Sequence, residues 1–177
     1  MKLLLQNREL VIRNAAAGDA SRLCNWWNDG SVMAHAGFPE GLGTTVEEVK
    51  QGLLKDSDEA GRRLIMEADA EPLGEMNYRN VGNKIAEIGI KICEPSKQEK
   101  GYGTRLLAML VHALFMDLGY GKIILDTNVN NSRAQHVYEK LGFHKIRVNK
   151  DAWKDQLGEW QSSVDYELEM KDFVDYR

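Results

Sequence analysis

The chain has 177 residues, 43% of them hydrophobic, and its formal net charge at pH 7 is −4. This length and composition predict a single domain over residues 1–177 that is large enough to bury a core. The acidic balance argues against nucleic-acid binding, for which a basic surface is the first requirement. Apolar runs stay shorter than the roughly 18 residues that a membrane helix needs, so no membrane partner is expected.

The sparse cysteines and histidines argue against a disulfide framework and a metal site. Cys24 and Cys93 form no Cys-x-x-Cys pair, and the four histidines share no ligand spacing. The apolar stretch of residues 1–5 is interrupted by residues 6–9 and is too short for the apolar region of a signal peptide. We therefore expect no metal cofactor and a cytoplasmic location.

The N-terminal part of the chain predicts a strand, a helix, a loop and a second helix. Residues 10–13 are predicted to form the strand, and Asp19 to be the N-cap of the first helix. Residues 30–43 are glycine-rich and predicted to be irregular, and residues 44–47 begin the second helix. The apolar side of the first helix would be formed by Leu23, Trp26 and Trp27.

The middle of the chain predicts three strands. Residues 63–68 and 72–78 alternate or run apolar and turn at residues 69–71, and residues 85–92 follow after a glycine-containing turn. Short connections of this kind predict antiparallel neighbours.

A loop with two glycines joins the third of these strands to a long helix. Gly101 and Gly103 tolerate positive φ and leave the backbone N–H groups of residues 100–104 uncovered, apart from the side chain of Tyr102. At a helix N-terminus such groups favour an anion such as a diphosphate, although the two glycines could simply turn the chain. The helix itself is predicted from apolar positions that recur on one face, namely Leu106, Leu107, Leu110, Val111, Leu114, Phe115 and Leu118.

Charge is distributed unevenly along the chain. Residues 91–105 carry four basic and two acidic side chains, whereas residues 151–177 carry eight acidic and three basic ones. A basic patch would therefore surround the loop. The acidic segment is either a solvated face or a region that attracts a cationic amine.

The C-terminal part completes the predicted fold. Residues 122–126 form a strand, residues 132–141 a helix, and residues 143–148 with 164–170 a closing hairpin across a loop that holds Trp153 and Trp160. The predicted fold class is α/β (α+β), a mixed, mainly antiparallel twisted sheet with helices on both faces.

Two motifs in this order resemble those of the GNAT N-acetyltransferase superfamily. Gln98, Gly101 and Gly103 match Gln/Arg-x-x-Gly-x-Gly, the pyrophosphate loop for acetyl-CoA. Asn131, Ala134 and Tyr138, with residues 139–143, match the family element Asn-x-x-Ala-x-x-x-Tyr-x-x-x-Gly-Phe. The resemblance covers residues 8–171.

The start of the chain resembles the Rim-like branch of this superfamily, which has a strand, an Asp-capped helix and a Trp-Asn-Asp segment, here residues 27–29. The resemblance implies direct transfer of an acetyl group from acetyl-CoA to a primary amine, either a protein N-terminus or a small-molecule amine. A non-catalytic acetyl-CoA-binding domain and a transferase for another acyl-CoA remain alternatives. A monomer and a homodimer are both open.

The resemblance also implies contacts with acetyl-CoA. Backbone N–H groups around residues 90–92 would bind the oxyanion where the strands splay at a β-bulge, and Gly89 is a permissive position for one. Asn131 would bind the pantetheine arm, cap the helix that follows, or do both. The implied cofactor contacts are Ile90, Lys91, Ile92, Gln98, Glu99, Lys100, Gly101, Tyr102, Gly103, Thr104, Asn131 and Arg133.

Three side chains are candidates for proton transfer. An amine is mostly protonated at neutral pH, so a carboxylate should assist its deprotonation directly or through water. Glu87, 11 residues before Gln98, stands where histone-type members carry the base, unless it is a surface residue beside Lys91. Asp126 competes, since it ends the next strand.

Tyr138 is the candidate acid for the departing thiolate. It would act by hydrogen bonding or with its pKa lowered by backbone dipoles, or it would pack beside Leu141 and Phe143 instead. The loop of residues 30–43 would border the acceptor pocket in the family. Its candidate contacts are Trp27, His35 and Phe38, and Trp26 and Trp27 could each serve the core instead.

Overall fold

The structure, a computed structural model, describes residues 3–177. Within this range, strands and helices follow one another from β1 near the start to β8 near the end. Their bounds are β1 Leu4–Asn7, β2 Leu10–Asn14, α1 Ala20–Trp27, α2 Gly30–Met33, α3 Val46–Leu53, β3 Gly61–Ala68, β4 Glu71–Asn80, β5 Ile85–Ile92, α4 Tyr102–Met116, β6 Lys122–Asn128, α5 Ser132–Lys140, β7 His144–Lys154 and β8 Trp160–Glu169.

The strands form a sheet in the order β1-β2-β3-β4-β5-β6-β8-β7. Each neighbouring pair is antiparallel except β5 and β6, which are parallel. The predicted mixed, mainly antiparallel sheet is therefore confirmed. Among the described residues, no helix is long and apolar enough to cross a membrane.

Alternation along the strands divides the apolar side chains between two cores. Leu64 and Met66 of β3 belong to a large cluster that includes α4 and Tyr138 of α5, on what we call the inner face. Ile65, between them, belongs to a smaller cluster with α1 and α3 on the outer face. Helices therefore cover both faces, as predicted. Burial on α4 extends beyond the predicted face, since Ala108 and Met109 are also buried.

The predicted irregular segment of residues 30–43 contains a helix. Asp29 caps α2 through its side chain, which accepts a hydrogen bond from the Ser31 N–H at 2.9 Å. A 3₁₀ turn, Ala34–Ala36, follows and ends at Gly37, whose φ of 97° is left-handed. The high glycine content obscured these two short elements. The sequence interpretation also missed β1.

The predicted loop around Trp153 and Trp160 is part of the hairpin. β7 and β8 extend to the pairs Trp153 with Gln161 and Lys154 with Trp160, so both tryptophans lie on strands. Asp155 closes a tight turn, because its Oδ1 accepts hydrogen bonds from the N–H groups of Leu157 and Glu159, both at 2.9 Å. Local turn chemistry therefore lengthens the hairpin.

The parallel pair β5 and β6 shares only a short ladder. Residues 85–87 pair with residues 122–124, and beyond them the two strands diverge. Residues 88–92 of β5 then have no partner strand on the β6 side. The β4–β5 register runs without a shift past Gly89, so the predicted splay is present without the predicted bulge.

Asp19 stabilises the entry to α1 in a way that the sequence interpretation did not foresee. Its side chain makes no capping hydrogen bond to α1. It instead accepts from both terminal nitrogens of Arg13, at 2.8 and 2.9 Å, and from the Ala16 N–H at 2.8 Å. Burial alone would raise the pKa of Asp19, but the hydrogen bonds from Arg13 and Ala16 outweigh it, so the pKa is lowered.

We expect Asp19→Asn to lower the free energy of unfolding by about 1–3 kcal/mol at neutral pH. Because the folded pKa of this carboxyl lies below its unfolded value of about 3.9, the ionised pair stabilises above that pH. Its contribution is lost as the pH falls through the folded pKa. The free energies of unfolding of the wild type and Asp19→Asn should therefore converge at low pH. Urea unfolding across acidic and neutral pH would measure this. Asp175→Asn, which removes an exposed partner of Arg177, is the control and should change little.

Candidate active site

The loop before α4 exposes a row of backbone donors. Gly101 takes left-handed φ of 76° as the N-cap, and α4 begins at Tyr102. Within residues 3–177, the N–H groups of residues 99–104 make no hydrogen bond of normal geometry. Gly103 is helical, so the expected positive φ holds for Gly101 alone. A Cβ on Gly103 would lie 3.4 Å from the Ile92 side chain. These donors at a helix N-terminus suit an anion.

The predicted cofactor residues around this loop lie together. Gln98 Nε2 donates to the Ile92 carbonyl at 3.2 Å, and Arg133 donates to Gln98 Oε1 and Glu99 Oε1, both at 2.9 Å. The Arg133 and Glu99 side chains are 58% and 74% exposed, so this pair adds little stability and leaves the guanidinium accessible. Lys100 is exposed, and Tyr102 packs against the inner core.

Asn131 is the N-cap of α5. Its side chain accepts a hydrogen bond from the Ala134 N–H at 3.3 Å, which confirms the capping alternative. Its contact with a pantetheine arm stays a prediction. A contact with acetyl-CoA also stays a prediction for Ile90, Lys91 and Ile92, whose strand edge faces the gap between β5 and β6.

Glu87 and Asp126 lie on the outer face where β5 and β6 begin to diverge. Glu87 pairs with Ile124, two residues before Asp126. Glu87 is 38% exposed and accepts a hydrogen bond from Arg79 at 2.7 Å. Asp126 is exposed, but partial desolvation of its carboxyl group by the surrounding strands raises its pKa, and the charges of Glu87 and then Asp165 raise it further. The two candidate bases are thus close enough to repel each other.

Tyr138 lies on the inner face beside the same gap. It is 5% exposed, and its ring lies 5.9 Å from Phe143 and 5.7 Å from Tyr166. Burial, followed by the charge of Asp126, raises the pKa of Tyr138 to about 12. The alternative in which backbone dipoles lower this pKa is therefore wrong, whereas the hydrogen-bonding alternative stays a prediction. Packing beside Phe143 is present, and the hydroxyl makes no hydrogen bond to the part of the chain that the structure describes.

A pocket of about 300 Å³ opens on the outer face next to the free edge of β5. Lys91 belongs to both the pocket and this edge, and Asn77 stands opposite Gly89. A Cβ on Gly89 would approach the Asn77 side chain to 2.8 Å, so the glycine makes room for it. The lining residues are Trp27, Met33, Leu42, Arg63, Glu75, Asn77 and Lys91.

Of the predicted acceptor contacts, Trp27 lines this pocket. His35 is exposed on the 3₁₀ turn and Phe38 is half-buried after it, and neither lines the pocket. Trp26 is 6% exposed and packs in the outer core, as its alternative interpretation predicted.

Glu75 is the pocket residue that the sequence interpretation missed. It is only 3% exposed, and its Oε1 accepts hydrogen bonds from Trp27 Nε1 at 2.8 Å and Lys91 Nζ at 3.3 Å. Its cross-strand partner is Lys91. A glutamate inside a predicted strand was the available signal, but only the register shows that it faces Trp27. A buried carboxylate in a pocket suits an ammonium group.

Arg63 contributes a cation to the pocket wall. Its side chain donates to Asp56, with the shortest contact at 2.7 Å, and to the Gly52 carbonyl. Among the residues described, no group of three or more His, Cys, Asp or Glu side chains could hold a metal ion.

Comparisons with known proteins agree with this arrangement. Residues 9–144 match the family model described as the Acetyltransferase (GNAT) domain. The chain is 31% identical to spermidine N(1)-acetyltransferase of Vibrio cholerae over 142 residues, which cover 77% of this chain and 80% of that protein.

A second relative matches over a shorter region. Spermidine N(1)-acetyltransferase of Escherichia coli is 35% identical over 88 residues, which cover 49% of this chain and about half, 47%, of the relative. Among solved structures, RimL, a ribosomal L7/L12 α-N-protein acetyltransferase in complex with coenzyme A, has a TM-score of 0.84 at 18% identity. That likeness covers 96% of this chain and 99% of RimL, and it concerns the fold.

We expect Gly103→Val to weaken acetyl-CoA binding by about tenfold or more, because a branched side chain would crowd the donors of the first turn of α4. The free energy of unfolding should change by no more than about 1 kcal/mol, since the position is helical. Calorimetric titration with acetyl-CoA measures the affinity. Gly18→Val, at a glycine with open space and no positive φ, is the matched control. Unchanged affinity in a folded Gly103→Val protein would contradict the assignment of this loop.

Proposed function

The chain belongs to the acetyltransferase (GNAT) family, and from this premise we propose that it transfers an acetyl group from acetyl-CoA directly to a primary amine as a single-domain enzyme. The observation that carries the proposal is the gap between β5 and β6. One end of this gap meets the free N–H groups of residues 99–104, and its outer side meets the pocket that holds Glu75.

The residues on the cofactor side fit acetyl-CoA. The N–H groups of the loop and the accessible cations of Lys100 and Arg133 suit a diphosphate. The open edge of β5, residues 88–92, can pair with an extended amide-containing arm as it would with an added strand. N–H groups of the same edge are the proposed oxyanion donors. Acetyl-CoA, when bound, supplies the activated thioester.

On the acceptor side, we assign Glu75 to the ammonium group of the incoming amine. The carboxylate is buried, so its interaction with a cation is screened less than at the surface. Lys91 already neutralises it, and an incoming ammonium would share or replace that contact. Trp27, Met33 and Leu42 supply an apolar wall beside it.

Deprotonation of the amine falls to Asp126, Glu87 or a water molecule held by them. An ionised carboxylate with a raised pKa is a stronger base than an ordinary one, and the pKa of Asp126 is raised. Glu87 accepts a hydrogen bond from Arg79, which holds its carboxylate in place. Both stand on the outer face, the side from which an amine in the pocket would approach.

Tyr138 serves the leaving thiolate from the inner face. With its pKa at about 12, against about 8.5 for a thiol, full proton transfer is uphill by roughly 5 kcal/mol. The phenol therefore acts as a hydrogen-bond donor while charge develops on sulfur, and it remains protonated throughout the neutral range.

The charges of the pocket favour an acceptor with one ammonium group flanked by an apolar group. Glu75 is the single carboxylate among the lining residues of this pocket, which also include the cations Arg63 and Lys91. A second ammonium would meet these cations. A protein N-terminus or a small-molecule monoamine fits better than a polyamine, although relatives of this chain are named for spermidine. Cytoplasmic location and oligomeric state stay predictions.

Reaction with acetyl-CoA and a mixed amine panel, followed by mass spectrometry, tests this proposal. We expect acetylated peptide α-amines or monoamines, with kcat/KM for spermidine lower by about tenfold or more, since one misplaced charge of ~1.4 kcal/mol gives that factor. Glu75→Gln should raise the acceptor KM while acetyl-CoA affinity stays near wild type. Binding of acetyl-CoA without any acylated product would favour the non-catalytic alternative. Faster reaction with a longer acyl-CoA than with acetyl-CoA would favour the alternative of a transferase for another acyl-CoA.

We expect Tyr138→Phe to lower kcat by about 100-fold with little change in the KM for acetyl-CoA, as is usual for the loss of one general acid. The shape of the pH–rate profile should persist between neutral and mildly alkaline pH, because a phenol with a pKa of about 12 does not titrate there. Tyr166→Phe, in the same ring cluster, is the control for packing. A Tyr138→Phe rate within twofold of wild type would make Tyr138 structural.

A further inference from the structure

The tip of the β7–β8 hairpin is bonded to the loop that follows α2. Gln156 makes three hydrogen bonds to this loop: its N–H donates to the Gly37 carbonyl at 2.9 Å, its Oε1 accepts from the Glu40 N–H at 2.9 Å, and its Nε2 donates to the Gly41 carbonyl at 3.0 Å. One side chain and its own backbone thus hold a five-residue segment from both ends. We call residues 37–41 the acceptor loop.

The backbone of the acceptor loop is shaped for close contact with the hairpin. A Cβ on Gly37 would collide with the ring of Trp153, which lies on β7. A Cβ on Gly41 would collide with the Asn28 carbonyl, and both glycines have left-handed φ, 97° and 82°. The loop is therefore packed closely against both the hairpin and the end of α1, with no room for a side chain at either glycine.

The acceptor loop lies between two residues of the pocket wall. Met33 precedes it, and the Met33 carbonyl accepts a hydrogen bond from the Phe38 N–H at 3.1 Å. Leu42 follows it, and the Leu42 N–H donates to the Trp27 carbonyl at 2.7 Å. Because these connections are short, a displacement of the loop would move Met33 and Leu42.

The hairpin tip is itself anchored to β6. Gln161 Nε2 donates to Asp155 Oδ2 at 2.9 Å, and Asn128 Nδ2 donates to Gln161 Oε1 at 2.8 Å. Asn128 is 7% exposed and also accepts a hydrogen bond from the Asn130 N–H at 2.9 Å. Each of these two amides uses both its nitrogen and its oxygen in a hydrogen bond, which fixes its orientation. Gln156, next to Asp155, thus extends from a fixed support.

We propose that Gln156 is a positioning residue for the acceptor: it holds the acceptor loop so that Met33 and Leu42 keep the pocket wall in place. Gln156 itself does not line the pocket. It acts through the acceptor loop and therefore affects acceptor affinity and selectivity. The loop of residues 99–104, at the end of the gap, is unaffected. This inference rests on the proposed function.

Gln156→Ala tests the proposal, with Leu157→Ala as the matched control. Leu157 is the next residue of the same turn, and it is 56% exposed. We expect Gln156→Ala to raise the acceptor KM by roughly 5- to 10-fold, since it removes the two side-chain hydrogen bonds of the support. The kcat and the affinity for acetyl-CoA should stay within about twofold of wild type. Gln156→Glu keeps an acceptor for the Glu40 N–H but sets a carboxylate oxygen against the Gly41 carbonyl oxygen, so it should raise the KM at least as much as Gln156→Ala.

Hydrogen–deuterium exchange gives a readout that needs no activity. Peptides that cover residues 33–42 should exchange faster in Gln156→Ala than in Leu157→Ala, and peptides that cover residues 99–104 should not. Equal exchange and equal acceptor KM in the two variants would overturn the proposal. So would a parallel loss of acetyl-CoA affinity, which would indicate a general defect. A wild-type protein that acetylates no amine would instead overturn the proposed function, and this role with it.

Discussion

The arrangement of the site depends on the early end of one ladder. β5 and β6 are parallel and pair over three residues each before they diverge. Backbone N–H and C=O groups need partners, so the edge left open at residues 88–92 is a place where another extended chain can add. The divergence also opens a gap in the sheet that side chains can approach from both faces. Tyr138 approaches from the inner core, whereas Glu87 and Asp126 stand on the outer face. The proposed hydrogen-bond donor, Tyr138, and the two candidate bases therefore lie on opposite faces of the sheet, and they can reach a common point only at the gap.

Electrostatics follows from the same geometry. Asp126 stands two residues beyond the last parallel pair, so it faces Glu87 across the widening gap and Asp165 across the β6–β8 ladder. The carboxylates of Glu87 and Asp165 raise the pKa of Asp126 in addition to its partial desolvation, and the charge of Asp126 in turn raises the pKa of Tyr138. Like charges at a short distance are costly unless they are compensated, and Arg79 and Arg147 compensate Glu87 and Asp165 respectively. Among the described side chains, Asp126 is the one of these three carboxylates without a cationic partner, which supports its proposed role as the base.

The sequence predicted those parts of the molecule that local chemistry determines. The periodicity of residues 85–92 and 106–118, and the order of two glycine-containing motifs, were sufficient for β5, the loop after it, α4 up to Met116 and the family. Phosphate binding by that loop stays a prediction. The missed features depend on distant contacts. Glu75 becomes a pocket residue because the β4–β5 register sets it opposite Lys91 and the fold brings Trp27 above it. The pKa of Tyr138 was misjudged, because the helix pattern showed the side of α5 on which it lies but not how deeply its ring is buried. Short elements such as α2 depend on the Asp29 cap, a signal that the surrounding glycines obscured.

The acceptor side is built in a different manner from the cofactor side, and this difference bears on specificity. The donors of residues 99–104 come from a backbone that continues directly into α4, a long helix buried against the sheet, so their positions are determined by one rigid element. The pocket wall combines α1, α2, Leu42 and the three strands β3, β4 and β5, and the acceptor loop between Met33 and Leu42 is held by hydrogen bonds from a separate segment. Contacts of that type can change one at a time without loss of the core, because each contributes only about 1 kcal/mol. A chain of this family can therefore keep its acetyl donor while its acceptor changes. For this reason, likeness to spermidine acetyltransferases supports the reaction more strongly than it supports the amine, and the charges around Glu75 are the better guide to the latter.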